Sequence, residues 1–212
     1  MAGNISFYID LKSTDKLAKD ILNEMATVMQ RAITGALTPI DDGIKNLITQ
    51  AFKLDSTYNS ILSGEIQKIF LLVAPANTLN YMLDTIINSI RIKQRTVRQV
   101  NGLTLSGGLD INIFDDQTYL RLLNAPEGSF VTANGFLIPW FEHILDGGTT
   151  PLFTGAELVD TGKGIVLSKQ ANNIQIPAQF SGQKDNNFIT KTLLGLEDNI
   201  TDLIYKEVDS RI

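Results

Sequence analysis

The spacing of apolar residues predicts that the chain begins with a long helical region. Apolar residues recur every three or four positions in two successive stretches, 17–36 and 40–52, as they do along one face of an amphipathic helix. Thr38 and Pro39 lie where the second stretch begins. Threonine can cap a helix and proline suits its first position, so these residues predict a new helix start. We expect the two stretches to form one long, kinked helical arm.

The remainder of the first 90 residues also follows a helical pattern, apart from a short strand near the start. Ser13 or Thr14 is expected to cap the first helix with a side-chain oxygen. Pro75 separates two further helical pieces. The elements predicted here are a strand at 5–11 and helical pieces at 58–73 and 79–90.

From residue 91 the pattern changes to short alternating segments separated by turn residues. Asn101-Gly102 and Asn134-Gly135 are typical of hairpin turns, because asparagine and glycine tolerate a positive φ angle. Gly107-Gly108 predicts a bulge or sharp bend within a strand. The predicted strands are 91–100, 103–113, 129–132, 136–138, 157–160 and 164–168, with a short helix at 115–123 and a closing helix within 186–212.

This order predicts an α+β fold in one integrated domain. Residues 1–90 form a mostly helical N-terminal region. Residues 91–212 form a central antiparallel β-sheet with hairpins, a short helix and a C-terminal helix.

Composition narrows the class of protein further. The 212 residues include no cysteine and one histidine, so disulfides, thiol catalysis and the common zinc-binding motifs are excluded. No apolar run has the roughly 18 residues that a membrane span needs, and the first residues do not resemble a signal peptide. We therefore expect a soluble protein that is not secreted.

Charge is unevenly distributed along the chain. Residues 1–100 contain 11 basic and 9 acidic side chains, whereas residues 101–212 contain 7 basic and 14 acidic ones. One short run is basic without any acid and consists of Arg91, Lys93, Arg95 and Arg98. Such a run fits a solvated strand edge that discourages pairing with other strands. It also fits a strip that faces phosphate or a partner protein.

Two segments superficially suggest an enzyme. The spacing of the glycine-rich segment 155–164 is too long for a phosphate-binding P-loop, and Lys163 is followed by glycine instead of serine or threonine. It is therefore expected to be a turn between strands. The carboxylate pairs Asp115-Asp116 and Glu197-Asp198 are interpreted as helix-start and surface charge.

The second segment, 139–148, contains the only tryptophan and the only histidine. His143 is flanked by Glu142 and Asp146, and a histidine beside a carboxylate can act as a general base. We expect instead a half-exposed histidine on a short helix, with Trp140 on its apolar side and Gly147 at its end. The sequence predicts no catalytic, cofactor-binding or metal-binding residues, and we do not expect an enzyme.

Five segments resemble parts of virion proteins from tailed bacteriophages, in the same order and over about two thirds of the chain. They are STYNSILSGEI (56–66), SGGLDINIF (106–114), PWFEHILDGG (139–148), TGKGIVLSK (161–169) and IPAQFSGQKDNNFITKTL (176–193). The proteins concerned are neck components, namely head–tail joining, head-closure or tail-completion proteins.

The resemblance implies a structural protein of the virion that assembles in the host cytoplasm. It implies a ring of six or twelve copies between the portal or adaptor and the tail, with a lumen through which DNA passes without sequence-specific binding. No cofactor and no membrane partner are implied. Within the same group, the alternative is a tail terminator that caps the tail tube; a generic oligomeric scaffold and a DNA-binding protein are further alternatives.

Overall fold

A computed structural model describes residues 2–6, 16–100, 104–170 and 172–212, and it confirms the α+β class. The helices are α1 (Lys16–Leu54), α2 (Ser56–Ser63), α3 (Glu65–Ile69), α4 (Pro75–Ser89), α5 (Asp116–Leu123), α6 (Trp140–Asp146), α7 (Phe188–Leu194) and α8 (Glu197–Asp209). The strands are β1 (Ala2–Ser6), β2 (Arg91–Val100), β3 (Thr104–Asn112), β4 (Phe130–Val131), β5 (Leu137–Ile138), β6 (Ala156–Asp160) and β7 (Ile165–Lys169).

The chain forms two compact units, and each unit draws on both halves of the sequence. The first, here called the sheet unit, contains Met1–Leu47, Ser89–Asp115 and Leu196–Ile212. The second, the hairpin unit, contains Ile48–Asn88 and Asp116–Gly195. The units therefore do not coincide with the division at residue 90 that the sequence pattern suggested.

Helix α1 is one continuous helix, as the predicted arm requires, but the helix start predicted at Thr38 and Pro39 is wrong, because both residues lie inside α1. A proline within a helix removes one backbone hydrogen bond and crowds the carbonyl four residues earlier, which here belongs to Gly35. Burial of the apolar stripe on both sides of the proline offsets this cost, since Ile33 and Ile40 are fully buried.

The sheet unit contains a three-stranded antiparallel sheet in the order β1-β3-β2. One face of β2 meets α1, where the Gln94 side-chain amide donates to the Thr34 hydroxyl over 2.8 Å. Helix α8 also lies against α1, because a Cβ added to Gly43 would come within 2.6 Å of Leu203. The strand and the helix thus share α1 as a common support.

A β-bulge interrupts the pairing of β2 with β3. Arg95 faces Gly108 and Arg98 faces Ser106, so two residues of β2 lie opposite the single residue Gly107. The backbone N–H of Val97, within the bulge, donates to the Gln30 side-chain oxygen over 2.7 Å. The glycine pair correctly indicated a bulge, but the extra residue belongs to the neighbouring strand β2.

Gly107 is required at this point because two backbones approach closely. A Cβ on this residue would lie 2.5 Å from Val97 Cα and 2.8 Å from the Thr96 carbonyl oxygen. Neither atom can move independently of the strand, so a larger residue would displace the bulge itself.

The hairpin unit is built around a row of aromatic rings. Neighbouring ring centroids lie 6.2 Å apart for Phe52–Phe188, 6.4 Å for Phe188–Phe141, 5.4 Å for Phe141–Trp140 and 6.4 Å for Trp140–Phe70. All five side chains are buried. We call this row the aromatic cluster; its edge-to-face and tilted contacts add to the stabilisation from burial.

Two hairpins and a capped helix complete the hairpin unit. Strands β4 and β5 pair around Asn134-Gly135 as predicted, with φ of 87° at Gly135, and β6 pairs with β7. The buried Asn187 caps α7, since its side-chain oxygen accepts from the N–H groups of Ile189 and Thr190 at 3.0 and 3.1 Å.

Several predicted boundaries need correction or lie outside the described residues. The predicted closing helix is two helices, α7 and α8, separated at Gly195 and Leu196. Of the strand expected at 5–11, only residues 5 and 6 lie among the described residues, where they end β1 (Ala2–Ser6). The predicted cap at Ser13 or Thr14 and the turn at 101–102 lie outside the described residues.

We expect Gly107→Ala to destabilise the protein by about 2 kcal/mol, because the added methyl group meets backbone atoms and the φ of this glycine disfavours a side chain. Gly135→Ala is the matched control: its φ is also positive, but nothing lies within 4 Å of the added atom. Urea unfolding of both variants measures the difference, and equal losses would show that contact with the bulge is unimportant.

Candidate functional site

Two sequence features were candidates for a functional site: the histidine segment 139–148 and the basic run at 91–98. Glu142, His143 and Asp146 lie on α6 in the hairpin unit, and the basic run lies on β2 in the sheet unit. Each is therefore considered on its own.

His143 is buried, and the prediction of a half-exposed histidine is wrong. Its side chain is 9% exposed, and Nε2 has no hydrogen-bond partner among the described residues. The imidazole lies against the chain at Gly147, where an added Cβ would come within 2.1 Å of Nδ1. The glycine that ends α6 is thus needed for space beside the ring, while Gly148, with φ of 58°, adopts the left-handed conformation.

Burial lowers the pKa of His143, and hydrogen bonding with the Thr150 backbone and the charge of Glu142 partly oppose the shift. The imidazole is therefore neutral at pH 7. The Asp146 carboxylate accepts a hydrogen bond from the backbone N–H of Lys184 over 2.9 Å, which ties α6 to the loop before α7. His143 thus has a packing role, and Asp146 fixes the loop before α7.

Tyr119 is a second titratable side chain near α6. Burial raises the pKa of Tyr119 to about 12, and the charges of Asp146 and Asp185 add to the shift. A phenol with this pKa stays protonated near neutral pH. Tyr119 is therefore not poised for proton transfer at physiological pH.

A shallow groove of about 230 Å³ lies elsewhere in the hairpin unit, between the start of α4 and α6. Leu72, Pro75, Phe130 and Trp140 line it, with Glu127 as its charged member. Its walls are mainly apolar, and polar groups do not converge in it as they do in ligand sites. Among the described residues, no group of three or more histidine, cysteine, aspartate or glutamate side chains could hold a metal ion.

The glycine-rich segment forms the turn of a hairpin, as predicted. The Asp160 carboxylate accepts from the N–H of Gly162 over 2.8 Å, and the Thr161 hydroxyl donates to the Gly164 carbonyl over 2.8 Å. These contacts stabilise the turn between β6 and β7 with its own side chains.

The basic run of β2 forms a single surface. Strict alternation would put Arg98 on the opposite face from Arg91, Lys93 and Arg95. The bulge adds one residue and restores the phase, so the four residues pair with Asn112, Asp110, Gly108 and Ser106, which alternate along β3. We call Arg91, Lys93, Arg95 and Arg98 the basic sheet face; all four side chains are exposed.

One pairing within the chain partly neutralises this face. Arg95 Nε lies 3.2 Å from Asp110 Oδ1, and both side chains are about 40% exposed. Arg91 donates to the carbonyl of Ile90 over 2.9 Å. Lys93 and Arg98 lie on either side of this ion pair. The basic sheet face is therefore a candidate surface for binding another molecule.

Comparisons with known proteins give no match for this chain. No protein-family model matches it, and no characterised protein or solved structure is significantly similar. No helix among the described residues is long and apolar enough to span a membrane.

We predict that acidification weakens the fold through His143. The pKa of its imidazole lies near 6.5 in the unfolded chain and lower in the folded chain. As the pH falls below about 6.5, the unfolded chain binds a proton that the folded chain does not, so stability is lost until the folded pKa is reached. The slope from this residue is on the order of 1 kcal/mol per pH unit.

Urea unfolding between pH 7.5 and 5.5 measures this loss, with His143→Gln as the comparison because it removes the titrating group. The variant should show a shallower dependence on pH than the wild type. NMR titration of an untagged protein provides a direct check, since His143 is the only histidine. An imidazole pKa at or above 6.5 in the folded protein would contradict the prediction.

Proposed function

We propose that this protein is a structural component of the neck of a tailed-bacteriophage virion. In this proposal six or twelve copies form a ring that joins the portal or adaptor of the DNA-filled head to the tail, and the ring lines the DNA channel. The protein acts through assembly and has no catalytic role.

The aromatic cluster is the observation that carries this proposal. Among the segments that resemble neck proteins, PWFEHILDGG supplies Trp140 and Phe141, and the segment 176–193 supplies Phe188. These side chains are separated in sequence but in contact in the fold. Contact between residues of separate neck-like segments is what a shared core requires, and this contact supports the proposal.

The remaining segments also occupy structural positions. STYNSILSGEI covers α2 and the start of α3, where the Asp55 carboxylate caps α2 through the N–H groups of Thr57 and Tyr58. TGKGIVLSK covers the turn and strand of the β6–β7 hairpin. The neck-like segments thus specify a scaffold, as a structural protein requires.

The charge distribution is compatible with a channel that DNA passes through. Tight binding of DNA needs many contacts between phosphates and basic side chains, and each contact makes binding more sensitive to salt. This chain has a net charge of −5, and residues 101–212 have twice as many acidic as basic side chains. An acidic channel wall makes few contacts with phosphates, so DNA can slide along it.

We expect the protein to occupy a ring at the head–tail junction of the virion. Cryo-electron microscopy of particles from the phage that encodes it, with the structure fitted into the ring density, tests this directly. Disruption of the gene should give DNA-filled heads without attached tails, and supplying the gene in trans should restore infectious particles. The control substitution Glu142→Gln, on the surface of α6, should leave the yield of infectious particles unchanged.

Different outcomes would favour the alternatives. Overlong or uncapped tails after gene disruption would indicate a tail terminator. Strong, salt-dependent binding of duplex DNA by the isolated protein would indicate a DNA-binding protein. Absence of the protein from purified virions would contradict a structural role in the neck.

A further inference from the structure

We propose that the basic sheet face of one copy binds an acidic surface on helix α8 of the next copy. This inference rests on the proposed ring, and it names the two surfaces through which neighbouring subunits meet. The acidic surface consists of Asp198, Asp202 and Asp209, here called the acidic helix face.

The acidic helix face lies on the outer side of α8. Ile200, Ile204 and Val208 are buried and form the inner side of this helix. At 3.6 residues per turn, the three aspartates project from the opposite side, and all three are exposed. Tyr205 lies beside them and is 53% exposed. An exposed aromatic ring next to charged groups is common at the edges of protein interfaces.

The two charged faces belong to one compact unit but point in different directions. Gln30 and Thr34 of α1 contact β2, whereas Gly43 of α1 lies against Leu203 of α8 and Gly35 lies against Arg211, just after α8. On a helix these two pairs are separated by roughly 160° around the axis. The sheet and α8 therefore occupy different flanks of α1, and each charged face is on the side directed away from it.

This arrangement suits binding between copies. The basic face and the acidic face of a single chain cannot meet, yet each complements the other in charge. The lengths also correspond: the basic sheet face extends for about 20 Å along β2, and the acidic helix face for about 16 Å along α8. A contact between two different surfaces of the same chain is a head-to-tail contact, and such contacts close into rings when the rotation permits.

A second copy is favoured over the other possible occupants of the basic sheet face. Four basic residues, one of them paired with Asp110, are few for binding DNA to a chain with a net charge of −5. A different acidic protein would leave the acidic helix face unexplained. Head-to-tail association accounts for both faces with one contact.

The test reverses each face separately and measures self-association by analytical ultracentrifugation. Lys93→Glu/Arg98→Glu reverses the sheet face and leaves Arg91 and Arg95, which have partners within the chain, unchanged. Asp202→Lys/Asp209→Lys reverses the helix face and avoids Asp198 in the first turn of α8, where a carboxylate favours the helix. Each variant should associate about tenfold or more weakly than the wild type, because like charges then meet.

A mixture of the two variants provides the decisive measurement. The reversed sheet face of one variant complements the reversed helix face of the other, so an equimolar mixture should associate far more strongly than either variant alone. Wild-type association should also weaken as salt is raised from 50 to 500 mM. Lys163→Glu/Lys169→Glu is the matched control for Lys93→Glu/Arg98→Glu, since it makes the same change in net charge at exposed positions of the hairpin unit. This control should associate like the wild type.

Three results would overturn the contact: a wild type that stays monomeric at every concentration, reversal variants that associate as well as the wild type, or a mixture that gives no recovery. Circular dichroism and thermal unfolding verify that each variant is folded. Duplex DNA retained by the wild type and lost in Lys93→Glu/Arg98→Glu would assign the basic sheet face to DNA instead. Ultracentrifugation tests the contact between copies, and electron microscopy of virions tests the position of the protein in the neck. The two proposals can therefore fail independently.

Discussion

The pairing of two residues of β2 with one glycine of β3 is the constraint on which the surface of the sheet unit depends. It keeps Arg98 on the same face as the three basic residues before the bulge. It also leaves the Val97 N–H outside the regular ladder, and the Gln30 side chain accepts this hydrogen bond. The bulge therefore provides a hydrogen bond from β2 to α1 and also determines which charged side chains share the opposite face of the sheet.

The hairpin unit depends on a different constraint, which is the packing of large rings from distant parts of the chain. Phe70 after α3 and Phe188 at the start of α7 meet the two aromatic residues of α6, and Phe52 at the end of α1 meets Phe188. Asn187, fully buried, fixes the start of α7 beside this cluster, because its side chain also donates to the carbonyls of Gln183 and Lys184. The irregular segment before α7 is thus held by hydrogen bonds that regular structure does not provide.

The sequence pattern was sufficient for most elements because their signals are local. Helix α1, strand β2 and the β4–β5 turn follow from apolar spacing, β-forming residues and Asn134-Gly135. The two compact units depend on contacts between distant segments, which periodicity does not contain. The burial of His143 was missed for a related reason: the space for its ring exists only because Gly147 lacks a side chain, and the glycine had been interpreted as a helix end alone. The strip of basic residues was anticipated, but its physical basis was not: a simple two-residue period places Arg98 on the other side, and the bulge returns it to the common face.

The contrast between His143 and the basic sheet face explains why we propose a role in assembly. A residue that performs acid–base chemistry needs access to substrate. His143 is buried, so it does not meet this requirement. Lys93 and Arg98, by contrast, are exposed on a rigid strand whose register is fixed by the bulge. Charges held in a fixed pattern on regular structure recognise a complementary surface with little loss of conformational freedom, which favours repeated, identical contacts between subunits.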